Sequence, residues 1–128
     1  MKIEWTLDEE EGIDPTDPVG NLILSDGKTT IQLESTYLDS WFEAFITGIK
    51  EITAGNSTTV EIAEEPDLLM FKYSKSGIII SYQNQDIFVK NTDELLLVLR
   101  ESAKKFIEKL DKVKIVESNN LLIVIRDF

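Results

Sequence analysis

The chain has 128 residues, 42% of them hydrophobic and 29% charged, the composition of one ordinary globular domain with enough apolar side chain for a core. It contains no histidine and no cysteine, which excludes imidazole bases, thiolate nucleophiles, disulfides and His/Cys metal cages. Thirteen basic against 24 acidic residues leave a net charge of -11, which repels phosphate backbones and anionic lipid, so no nucleic acid and no membrane surface is expected as a partner.

Residues 1–11 lack the apolar core of a signal or transit peptide. The longest apolar runs, 95–99 and 121–125, fall far short of the ~20 residues that span a bilayer, so a cytoplasmic location is expected. Met1, Ile3, Trp5 and Leu7 alternate with Lys2, Glu4 and Thr6, the period of a half-buried strand. Residues 8–18, with six acids, Gly12 and two prolines, read as a loop. Runs 19–25 and 28–34 flank Asp26-Gly27, which predicts a hairpin with those two residues as its turn. From Thr36 the period changes: Leu38, Trp41, Phe42, Phe45, Ile49 and Ile52 share one face of a helix, Thr36 with Asp39 resembles a capping box, and Gly55 supplies the stop.

Runs 58–64, 68–73, 78–82 and 86–90 are short and β-prone, separated by turn residues, and read as an antiparallel meander. A second helix opens at Asn91 with Glu94 three residues on and runs to about Asp111, its apolar side carrying Leu95, Leu99, Ala103, Phe106 and Leu110. Strands are expected at 113–117 and 121–128. The order βββ-α-ββββ-α-ββ predicts a single α+β domain over 1–128, a largely antiparallel sheet with two helices packed on one face.

Local motif matches fail on their own mechanics. Gly27-Lys28-Thr29 resembles the end of a phosphate loop, but Leu22 stands where that loop needs glycine and no helix follows. Ser102 with Lys105 spells S-x-x-K without the partner motifs such enzymes use, and Ser102 falls mid-helix. No cofactor is implied, since all six glycines are isolated. The acids of 8–17 lack the spacing of a calcium loop, and no convergent polar cluster marks an active site, so neither a metal site nor an enzyme is expected.

The charge is uneven. Residues 1–67 hold 16 acids and three lysines, a net of -13, while 68–128 hold eight acids and ten bases, a net of +2. Solubility alone needs a net charge of only ~2 to 8 on a small domain, whereas a strongly acidic half selects a basic partner and speeds its encounter. The candidate binding residues are therefore Glu9, Glu10, Glu11, Asp14 and Asp17 in the first loop and Glu61, Glu64, Glu65 and Asp67 after the first helix. Tyr37, Asp39 and Glu43 join them from the helix itself, whereas Trp41, Phe42 and Phe45 belong to its core face.

The profile is that of a non-catalytic acidic protein-binding module with a basic protein as partner. By analogy of class, its sharpest form is a bacterial immunity protein that neutralises a secreted toxin. Two other readings stand beside it: an accessory or adaptor subunit acting through homo-oligomerisation, using a sheet face or the 121–128 edge strand, and a carboxylate enzyme or small-ligand carrier.

Overall fold

The computed structural model describes residues 1–9, 18–63 and 65–111, over which the element order is βββ-α-ββββ-α. β1 (Lys2–Leu7), β2 (Val19–Ser25) and β3 (Thr30–Tyr37) form one antiparallel meander, and α1 (Leu38–Thr53) leads out of it. β4 (Thr58–Glu61), β5 (Leu68–Ser74), β6 (Gly77–Tyr82) and β7 (Gln85–Val89) form a second, followed by α2 (Thr92–Asp111). This is the expected α+β class, with the strands divided between two hydrogen-bonded sheets rather than joined in one. The strands expected at 113–117 and 121–128 lie outside the described residues.

Both helices pack by the faces their spacing defines. Trp41, Phe42, Phe45, Ile49 and Ile52 of α1 are buried, as are Leu95, Leu99, Ala103 and Phe106 of α2. Phe42 stacks on Phe106 with ring centroids 4.8 Å apart, and Phe106 meets Trp5 of β1 edge-on at 5.4 Å, so one aromatic row ties α1, α2 and the first sheet together. α1 also lies on β4 and β5, where Phe45 meets Phe71 edge-on at 6.0 Å. Gly48 makes that approach possible: a Cβ there would stand 2.1 Å from the Phe71 ring.

α2 is capped as its sequence suggests, with the Glu94 N–H donating to Asn91 Oδ1 at 2.9 Å. Its Ser102 donates from Oγ to the Ile3 carbonyl at 3.2 Å, and the Ser102 carbonyl accepts the Trp5 indole N–H at 3.2 Å. The serine of the S-x-x-K match is thus a buried strap between α2 and β1.

Two local expectations are corrected. The hairpin turn is shifted by one residue: the Asp26 N–H donates to the Thr29 carbonyl, so Gly27 and Lys28 are the central pair, and Gly27 takes the positive φ of 93°. The shift leaves the Asp26 carboxylate free to accept the Lys28 and Thr29 N–H groups at 2.8 and 2.7 Å. Nor does Thr36 cap α1. β3 continues to Tyr37, which is the N-cap and makes no side-chain cap bond. A bulge in β3 opposite Asn21, with Ser35 at φ 52° and its N–H bonded to Asn21 Oδ1 at 3.1 Å, turns Thr36 into the core instead.

Candidate functional site

The inner face of the second sheet is closed by helix, whereas none of the described elements covers its outer face. Strand alternation divides the residues. Val60, Leu69, Phe71, Ile78, Ile80, Ile87 and Val89 point into the core, which sends their neighbours Glu61, Leu68, Met70, Lys72, Ile79, Asp86 and Phe88 to the other side. The register sets these against one another: Glu61 opposite Leu68, Met70 opposite Ser81, Ile79 between Lys72 and Phe88, and Ser81 opposite Asp86. Leu68, Met70 and Phe88 stay 48%, 48% and 46% exposed, and with Ile79 between Met70 and Phe88 they run diagonally across the face as large apolar side chains that water does not favour. The surface is hollowed beside them, with an open depression of about 670 Å³ over Thr59, Met70, Lys72, Ile79 and Asp86. A second, of about 570 Å³, adjoins it over Asp67, Leu68, Gln83 and Asp86.

Charge surrounds this patch on the acidic side. Glu61, Asp67 and Asp86 stand at its margin, with Lys72 on the face. Asp67 accepts from Gln83 Nε2 at 2.8 Å and Asp86 accepts from Ser81 Oγ, which orients both carboxylates without neutralising them. The edge of β7 is tied to the first sheet, because the Phe88 N–H donates to Asp26 Oδ2 at 3.0 Å. Three backbone N–H groups on one carboxylate, those of Thr29, Phe88 and Lys28, hold Asp26 at about 2, below the usual aspartate value.

The residues singled out by charge are distributed over the molecule. Glu61 and Asp67 flank Leu68 and belong to the patch. Glu65 turns inward, its two oxygens accepting from Thr36 Oγ1 at 2.6 Å and the Tyr82 hydroxyl at 3.4 Å. Thr36 Oγ1 in turn accepts the Trp41 indole N–H at 2.9 Å. Burial, and then the negative charges of Glu65 and Asp67, push the Tyr82 hydroxyl up to about 12, so it stays a neutral donor to Glu65. Tyr37 and Asp39 are half-buried at the junction of β3 and α1, and Glu43 is exposed one turn further along. Glu9 pairs with Lys109 Nζ at 2.8 Å, near the end of α2. Glu10, Glu11, Asp14, Asp17 and Glu64 lie outside the described residues.

Leu68, Met70, Ile79 and Phe88 were not singled out by charge, and a different signal marks them. Residues 68–71 and 78–80 are apolar at consecutive positions, so those strands carry apolar side chains on both faces, whereas a sheet with one wet face alternates. Among the described residues, no group of three acids is placed to hold a metal ion, and no helix is long and apolar enough to cross a membrane. No family model, no curated protein and no solved structure matches the chain.

Proposed function

We propose that the protein is a non-catalytic binding module that takes a basic protein on the outer face of its second sheet. One observation carries this reading: Leu68, Met70, Ile79 and Phe88 form an apolar patch on a sheet face left bare by both helices, with Glu61, Asp67 and Asp86 at its margin. Apolar centre and charged rim are the anatomy of a protein interface, in which the centre supplies affinity and the rim supplies encounter rate and choice of partner. The acidic rim and the net charge of -11 select a partner rich in lysine and arginine. Neutralisation of a basic toxin by masking its active surface is the sharpest form of this function.

The test is capture from the host lysate on two baits, the wild-type protein and a Met70→Glu/Phe88→Glu variant, with both side chains exposed so that the variant keeps its fold. The expected result is a basic protein held by the wild type, released by salt and absent from the variant. Identical captures on the two baits, or an acidic protein as the captured species, would contradict the proposal.

A further inference from the structure

The chain carries two sulfur atoms that a peroxide can oxidise, those of Met1 and Met70, and no cysteine thiolate to compete for the oxidant. Met1 packs against the core, and its ammonium group is paired with Glu94 at 2.9 Å. Met70 is 48% exposed on the outer face of the second sheet, where the open depression of about 670 Å³ lies against it. Oxidation of a thioether follows exposure, so the two sulfurs are unequal.

The surroundings of Met70 fit a sulfoxide as well as a thioether. The register sets Thr59 of β4 and Ser81 of β6 opposite it on either side. The Ser81 hydroxyl donates to Asp86, which leaves the Thr59 hydroxyl as the donor nearest in register to an oxygen on the Met70 sulfur. The depression has room for that oxygen, so the sheet need not move. We propose that Met70 is an oxidation site of this protein, and that its conversion to the sulfoxide turns the outer face of the second sheet from apolar to polar. The thioether sulfur attacks one oxygen of hydrogen peroxide; an S–O bond forms as the O–O bond breaks, and the departing hydroxide takes the proton of the transferred oxygen to leave as water. The sulfur gives up two electrons and the peroxide receives them. Methionine sulfoxide reductases reverse the step with a dithiol as reductant, one enzyme for each sulfoxide epimer.

The position of Met70 gives the change its reach. Leu68 precedes it by two residues on the same face of β5, and Ile79 lies between Met70 and Phe88, so Met70 links Leu68 to the Ile79–Phe88 pair. A polar sulfoxide there divides the apolar stripe into a lone leucine and a pair, and isolated apolar side chains are ordinary surface. As regulation of partner binding the step rests on the function proposed above; as chemistry of this face it does not.

Hydrogen peroxide titration of the full chain tests the proposal, read by peptide mass and by retention on a phenyl column. The peptide holding Met70 gains one oxygen atom before the peptide holding Met1, retention falls in step with that gain, and sulfoxide reductase restores it. Circular dichroism stays constant throughout, because the side chain is exposed. Met70→Leu has no sulfur at this position, so peroxide leaves its retention where it was; Met70→Gln elutes early without peroxide. Applied to the protein captured from lysate, oxidation of the wild type weakens binding by roughly tenfold or more and leaves Met70→Leu at its own untreated affinity. Met1 oxidising first, retention unchanged at full oxidation of Met70, or a captured protein bound equally by the oxidised form overturns the proposal. A lysate that yields no partner counts against the proposed function alone, since mass and retention are measured without one.

Discussion

Asp26 Oδ2 accepts the Phe88 N–H at 3.0 Å, joining a hairpin turn of the first sheet to the edge strand of the second. The same carboxylate accepts the Lys28 and Thr29 N–H groups, and together these hold its pKa at about 2 against an ordinary 3.8. A group depressed on folding stabilises the protein above its unfolded pKa, and that stability is lost as pH falls from about 4 through about 2. Asp26→Asn lowers stability at neutral pH by on the order of 1 kcal/mol, discounting for the solvent contact of this half-exposed side chain. Urea midpoints measured from pH 7 down to pH 2 should converge for variant and wild type at the acid end. Parallel curves would show that the carboxylate charge is irrelevant to the junction.

The helix faces are tested by cavity formation. Trp41→Ala and Phe106→Ala each cost ~3 to 5 kcal/mol in urea titrations, because both side chains are fully buried and their removal leaves space as well as losing transfer energy. Losses below ~1 kcal/mol for both would contradict the packing.

Thr36 joins Trp41 to Glu65, and its replacement isolates both. Thr36→Val keeps the shape of the side chain but leaves the Trp41 indole N–H without its acceptor and Glu65 without its shortest donor. The cost is ~1 to 3 kcal/mol, the range for a polar group left unsatisfied inside a protein. Thr36→Ser retains the hydroxyl and should cost clearly less; equal losses for Val and Ser would assign the effect to the methyl group instead.

At Gly48 steric contact opposes helix propensity. Alanine is favoured over glycine inside a helix by about 1 kcal/mol. The added methyl would nevertheless enter the Phe71 ring, which is buried and has no room to retreat. Gly48→Ala is therefore destabilising, by ~1 to 3 kcal/mol net, and a variant more stable than the wild type in thermal unfolding would contradict this.

What was legible in the sequence was periodic. The spacing of Trp41, Phe45, Ile49 and Ile52 and the alternation of Ile3, Trp5 and Leu7 are local signals, and burial follows them because each element has one apolar face to hide. Asn91 with Glu94 was legible for the same reason, a cap being a bond between residues three apart. Thr36 was not. Its role depends on the bulge at Ser35, and the partners Asn21 and Glu65 are supplied by distant parts of the chain.

The outer face of the second sheet divides along the same line. Charge along the sequence marks Glu61 and Asp67 at the patch but equally Glu65, whose carboxylate serves Thr36 and Tyr82. Counting cannot tell an outward acid from an inward one. Ile79 and Phe88 come together only because β6 and β7 are laid side by side in one register, information that resides in the pairing and not in any single strand.

If the acidic, apolar-centred sheet face receives a basic protein as proposed, the association rate of the captured partner shows it most directly. Surface plasmon resonance with salt raised from ~0.05 to ~0.5 M shortens the screening length roughly threefold. The expected result is a steep fall in association rate with salt, a slower association for Glu61→Gln/Asp67→Asn/Asp86→Asn at low salt, and a faster dissociation for Met70→Ala/Phe88→Ala. An association rate flat across that range, with dissociation unchanged by loss of Met70 and Phe88, would contradict it.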